Sequence, residues 1–261
     1  MAIRRFRKHV AKQDWFAVAI DVAIVVVGVF LGIQASNWNA SRIETNLAHS
    51  YRERLIEEVK FNIRHHRQQS AYYHQALDHG LAAMEGLQAD RVDDPGQFVI
   101  DALQLTQLDR TPAKTFIYNE MMSAGLVSRL GDEKAQEAAS DYYMQVSAND
   151  RVLLDVHPYR DKMRGILPYA IQGEIQIRCG DRPVYYGKQI IGVRLAAKCR
   201  AQLNRSEALT AAAAVRQEPG LERDMVRYLN SVHERLGSLE TTVNLGLRFL
   251  KALEAAAAKH R

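Results

Sequence analysis

Four sets of residues in this chain have the types and spacing to do chemistry. Asp21 is the one ionisable group in an otherwise apolar run from Phe16 to Ile33. A carboxylate at membrane depth marks a proton path or a polar contact between helices, or it reaches the interface. Cys179 and Cys199 are the only cysteines. In an oxidising compartment an even pair reads as a disulfide, and closing a loop of about 20 residues stabilises a fold by roughly 3 kcal/mol in the chain-entropy model. Two unrelated buried thiols are the alternative. Two cysteines without a neighbouring His cluster do not make a zinc site. Tyr142 and Tyr143 could wall a small-ligand pocket or simply stack in a core. His65, His66, His74 and His79 share one stretch, yet no pair has the i,i+4 spacing that lets two imidazoles hold a metal from one helix face. They read as solvated.

No phosphate loop, GxGxxG turn, HExxH, GxSxG or paired CxxC occurs. Acidic residues scatter along the chain rather than gathering around a cleft. The sequence therefore predicts no enzyme, with no catalytic residue, no metal ligand and no cofactor.

The element that positions Asp21 is the stretch from Trp15 to Trp38. These are the only two tryptophans. Their separation corresponds to ~35 Å of helix at 1.5 Å per residue, against a hydrocarbon core of ~30 Å. An indole therefore sits at each headgroup layer. Ala17, Asp21, Gly28, Gly32 and Ser36 fall near one face of that helix. Small residues at four-residue spacing let two backbones approach closely, which favours self-association in lipid. One span supplies neither a partner carboxylate nor a pore, so a transport role for Asp21 has little to build on.

The formal charge of +5 is mostly a tail. Residues 1–14 carry five cations and Asp14, a net of +4; Asp21 returns one negative charge, leaving +2 for residues 22–261. That distribution argues against nucleic acid and for an anionic membrane surface. Five Lys/Arg precede the span and three (Arg42, Arg52, Arg54) fall in the 20 residues after it. The positive-inside rule places the N-terminus in the cytoplasm and residues 39–261 outside. A cleaved signal peptide is the rival. Against it, the apolar run exceeds a 7–15 residue h-region, and Ile33-Gln34-Ala35 fits a small-x-small cleavage site poorly.

Beyond Trp38 the pattern is helical. Leu47, Tyr51, Leu55 and Val59, then Tyr73, Leu77, Leu81, Met84 and Leu87, predict one long amphipathic helix ending near Asp90. A short helix is expected over Gln97–Leu108. Thr111-Pro112 reads as the cap and first residue of the next helix, with Gly125 as its stop. Asp132 caps a helix through Tyr142-Tyr143, Pro158 kinks it or opens a new turn, and Pro168 ends the helical region. Residues 171–190 alternate apolar and polar and read as a hairpin or loop excursion. A helix over Gln189–Asn204 would carry Cys199, and Ser206–Gln217 forms an Ala-rich helix. Met225, Leu229, Val232, Leu236, Leu239, Val243, Leu247 and Leu250 step by threes and fours, a bundle seam that is expected to pack along Ala48–Gln88. The last residues, AAAAKHR, read as a fraying end.

Asn37-Trp38-Asn39 directly after VVVGVFLGIQ, together with Tyr118–Tyr143 (Ser123, Gly125, Leu126, Tyr142, Tyr143), resembles a family of uncharacterised bacterial single-pass membrane proteins. In that family a span ends in a Gln-x-x-Asn-Trp-Asn-like motif and a helical domain follows. The resemblance covers the N-terminal two-thirds. It implies membrane location and an all-helical domain and brings no activity.

The expected protein is all-α. It has a basic cytoplasmic tail (1–14), a transmembrane helix (15–38) and an elongated extracytoplasmic bundle of long antiparallel helices (39–261), with a small hairpin or loop excursion near 171–190. Its setting is the bacterial inner membrane, with the bundle in the periplasm. Its expected partners are the lipid bilayer and a second copy or another membrane or periplasmic protein, not nucleic acid. The leading expectation is a protein-interaction or assembly module. A tethered sensory or small-ligand domain near Tyr142-Tyr143, working through a partner because the 14-residue tail is too short for an output domain, is the alternative. An enzyme without a recognisable motif is the third.

Overall fold

The computed structural model describes residues 15–152, 157–196, 199 and 201–258. The basic tail, the segment 153–156 and residues 259–261 lie outside the described residues, as do the side chains of Trp15 and Ala17. Eight α-helices and one two-stranded hairpin make up the described chain. Helix α1 covers Trp15–Gln88. The chain divides into two units between Ser50 and Tyr51.

In the first unit, residues 19–47 are exposed on every side. This stretch contains a window long and apolar enough to cross a membrane, none of it buried. Asp21, Gly28, Gly32 and Ser36 are exposed with the rest, and no atom lies within 4 Å of a Cβ built on either glycine. Trp38 is 68% exposed, and the Arg42 guanidinium lies 5.8 Å from its ring centroid. An indole under a cation, on a stretch exposed from residue 19 to residue 47, suits an interface between hydrocarbon and water.

The second unit has two cores strung along two antiparallel staves. One stave is Tyr51–Gln88 of α1; the other is α8 (Leu221–Ala258). Their register is fixed by Gln88 with Glu222, Gly80 against Leu229, Tyr73 under Arg235, Ile63 against Gly246 and Lys60 with Glu254. At one end α3 (Phe116–Ser123) and α4 (Glu133–Val152) close over Leu55, Val59, Phe249 and Leu253. At the other, α2 (Pro95–Gln104), α5 (Pro158–Ile166), α6 (Tyr169–Cys179) and α7 (Arg205–Gln217) surround Tyr72, Ala83, Met225 and Leu239.

The local stops follow their chemistry. Asp94 Oδ1 accepts the Gln97 N–H and Pro95 opens α2, a cap followed by the one residue whose missing N–H costs nothing there. Gly125 ends α3 with φ +70°, a left-handed stop that disfavours any side chain. Asp132 Oδ1 accepts the Ala135 N–H at the start of α4.

Several expectations are corrected. Thr111-Pro112 does not open α3; Thr115 precedes it. Pro158 starts α5. Pro168 does not end the helical region, because its φ of −56° and ψ of 143° set it as the residue before α6. Residues 175–179 are helical, so the hairpin lies later, in β1 (Arg182–Tyr186) and β2 (Gln189–Arg194). No helix covers 189–196, Cys199 is not helical, and residues 197, 198 and 200 of the expected helix lie outside the described residues. The hairpin pairs Arg182 with Arg194 and Tyr186 with Gln189 around Gly187 at φ +60°. The conformation asked of the first central residue of a type II′ turn therefore falls on the one residue suited to it. Cys179 and Cys199 are joined in a disulfide with Cα atoms 5.2 Å apart, tying the end of α6 to the segment after the hairpin.

Candidate functional site

The inner face of α1 is not wholly apolar. Glu58, Asn62, His65 and Gln69 step by four, three and four residues and are all buried. Each serves a backbone group that no helical hydrogen bond takes up, in an extended segment or, for Glu58, in the first turn of α3. Glu58 accepts the Ile117 N–H at 2.8 Å and the Tyr143 hydroxyl at 2.7 Å. Asn62 donates to the Lys114 carbonyl at 2.7 Å and accepts its N–H at 2.8 Å. His65 Nδ1 donates to the Ile191 carbonyl at 2.8 Å. Gln69 donates to the Thr111 carbonyl at 3.1 Å. Buried main-chain groups need such partners, and this row supplies them where extended chain or the start of α3 runs beside α1. Arg52 does the same for the turn before α4, donating to the Arg129 and Leu130 carbonyls.

His65 and His66 are therefore buried rather than solvated, with 0% and 1% exposure. Burial, helped by neighbouring His65 and by Arg235 and opposed by a hydrogen bond with Gln69, pushes His66 down from 6.5 to about 3. His74 is exposed, and His79 Nδ1 lies 2.7 Å from Asp101 Oδ1. Among the described residues no cluster of His, Cys, Asp and Glu is placed to hold a metal.

The two tyrosines expected near a ligand separate in role. Tyr142 is fully buried, edge-on to Tyr143 with centroids 4.9 Å apart. Tyr143 stacks on Tyr118 at 3.8 Å and lines an open cleft of about 590 Å³ with Asn119, Met144 and Asp150. Its hydroxyl is taken by Glu58, and burial first, then the Glu58 charge, pushes its pKa well up.

A more enclosed cavity lies between the staves. It measures about 250 Å³ and is lined by Tyr73 of α1, Leu108, Asn149 of α4, His157 before α5, and Tyr228, Ser231, Val232, Glu234, Arg235 and Ser238 of α8. The α8 side chains recur every three or four residues, so one helix face builds most of the wall. Arg235 is 9% exposed, lies 4.6 Å from the Tyr73 ring centroid, and has no hydrogen-bond partner for its Nε among the described residues. Tyr228 is 3% exposed and its hydroxyl likewise has none. Asn149 is locked by Thr242 and Ser238, each at 2.6 Å. Burial pushes Tyr228 up to about 12, against the pull of the Arg160, Arg235 and Arg164 guanidiniums. Asp150, raised by burial, is drawn back by His65 and Arg235. Glu234, on the wall, is exposed.

Compared with known families, with curated proteins and with solved structures, the chain matches nothing.

Arg235 and Tyr228 carry a signal that sequence reasoning passed over. Tyr228, Val232, Arg235 and Leu239 form one row at helical spacing, and a guanidinium inside an otherwise buried row needs a reason. The apolar stripe of Met225, Leu229 and Leu236 runs beside them and hides them.

Proposed function

We propose that this is a single-pass protein of a bacterial inner membrane, N-terminus inside, whose extracytoplasmic bundle binds a small molecule between α1, α4 and α8. Binding there would act through a partner protein. The observation that carries the reading is the cavity of about 250 Å³ with two buried, unpartnered polar groups on its wall. Native structures leave few such groups without a purpose, because each costs about 1–3 kcal/mol. The apolar window before residue 47 supports the anchor, and the charge asymmetry around it supports the orientation.

Two measurements test this. Thiol labelling of the full-length protein in its native membrane should reach Cys179 and Cys199 from outside only, and only after reduction; labelling from the cytoplasmic side overturns the orientation. A metabolite library should contain compounds that raise the melting temperature of the detergent-solubilised protein, and Ser231→Phe, which fills the cavity, should abolish the shift. A library without a hit removes the ligand-binding reading.

A second reading, an assembly module, rests on the surface near the hairpin. Phe116, Tyr185, Tyr186 and Ile190 are 67, 59, 56 and 49% exposed. Phe116 and Tyr186 flank a groove with Lys114 and Arg64. Exposed aromatics beside cations are common in protein interfaces. A monomeric mass in detergent and in nanodiscs counts against it.

A further inference from the structure

We infer that the cavity between the staves takes a small organic carboxylate with a flat or branched apolar body, its carboxylate on Arg235 and Tyr228. The assignment rests on the ligand-binding reading and adds the chemical class.

Charge decides the head group. A buried guanidinium is tolerated when its donors are used, yet Nε of Arg235 has no partner among the described residues. Tyr228 presents a second unused donor on the same wall, about two helical turns away along α8. Arg160 and Arg164 also act on the Tyr228 hydroxyl and Asp150 interacts with Arg235; an anionic head group is the kind that takes up the unused donors of Arg235 and Tyr228 together. A guanidinium's planar fork matches a carboxylate in two-point geometry, which an ammonium could not offer. The carboxylate on the wall, Glu234, is exposed to solvent and does not quench the inner end.

Shape decides the body. The less polar part of the wall is Leu108, Val232 and the rings of Tyr73, Tyr228 and His157, the last two with centroids 4.7 Å apart. A volume of about 250 Å³ holds about eight waters at ~30 Å³ each. That is room for a single-ring or branched-chain acid and too little for a nucleotide or a lipid. Ser231 and Ser238 already donate within the protein, to the Tyr228 carbonyl and to Asn149. They do not compete for the head group.

Benzoate and its neutral isostere benzamide separate the class from the site. Calorimetry on the full-length protein in nanodiscs should show benzoate binding, benzamide weaker by about tenfold or more, and benzoate affinity lower by about tenfold or more in Arg235→Gln, the loss expected when a charged hydrogen-bond partner is removed. Tyr228→Phe should lower it less and leave the fold intact, so the test stands even where Arg235→Gln does not fold. Equal binding of the two probes, or unchanged benzoate affinity in both variants, overturns the carboxylate assignment while the cavity remains a ligand site. Failure of both probes where library compounds still bind in a Ser231→Phe-sensitive way has the same meaning. Failure of every compound removes both readings.

Discussion

Glu58 and Tyr143 meet at 2.7 Å in the interior of the bundle, the hydroxyl donating to Oε1 while Oε2 accepts the Ile117 N–H. One carboxylate of α1 thus joins α3, whose own cap residue Thr115 makes no side-chain cap bond, to α4. A helix N-terminus favours a negative charge for electrostatic reasons as well.

Removing Glu58 should therefore be costly. Glu58→Ala leaves a buried hydroxyl and an uncapped helix start, an expected loss of about 2–4 kcal/mol. Tyr143→Phe should lose about 1 kcal/mol, since the carboxylate keeps its backbone partner. Urea melts of both and of the double variant measure the coupling. Additive losses would show that the two groups do not act together.

Acid should weaken the fold through His66. Its imidazole titrates near 6.5 in the unfolded chain and at about 3 in the folded one. Above pH 6.5 both states are neutral and the stability is complete. As pH falls from 6.5 towards 3 the unfolded state takes up a proton that the folded state refuses, and stability is lost. At about 1.4 kcal/mol per unit the full loss is on the order of 5 kcal/mol. His66→Gln should flatten the dependence of urea stability on pH between these limits; an unchanged slope would show that His66 does not carry it.

The disulfide predicts both reactivity and stability. Cys179 and Cys199 should resist maleimide until a reductant is added. Exchanging both for Ser should cost about 3 kcal/mol for a loop of this length. Free labelling of the oxidised protein would refute the bond.

Two glycines should respond in opposite directions. A Cβ on Gly80 would sit 2.7 Å from Leu229 Cδ2 and 2.8 Å from Leu105 Cδ1, so Gly80→Val should destabilise by about 2 kcal/mol. Gly237, also helical, has nothing within 4 Å. Gly237→Ala should stabilise by about 0.5–1 kcal/mol by restricting the unfolded chain. Thermal melts that move the same way would contradict the packing.

For the span, Gly28→Leu with Gly32→Leu should abolish any dimer seen in detergent, because bulk on that face keeps backbones apart. Unchanged association would remove the span from the account of assembly.

Much of the helical skeleton was legible, and the reason is visible in particular residues. Gly125 and Asp132 announce their turn because the backbone there requires those residue types. The stripe of α8 was readable through Met225, Val232 and Leu239, which are buried, though Leu247 is 40% exposed. Glu58, Asn62, His65 and Gln69 were not legible as interior. Their partners are carbonyls and N–H groups, which every residue has, so periodicity assigns such side chains to solvent. Pro168 misled in a similar way: proline is as compatible with the residue before a helix as with the one after it. The hairpin was displaced because Ile175, Ile177 and Cys179 alternate like a strand while α6 buries Ile171, Ile175 and Cys179 at helical spacing.

The antiparallel match of Tyr51–Gln88 with α8 bears on how the domain is made. The groups that Gly246, Leu229 and Arg235 meet on α1 are synthesised long before α8 leaves the ribosome. Through that interval the α1 stave shows Leu55, Val59 and Tyr73 to any passing chain, and closure is a long-range event whose entropy cost precedes its reward. A holdase that recognises exposed aromatic and aliphatic side chains during synthesis would shorten that exposure. A nascent chain stalled before Leu221 should be degraded rather than stored.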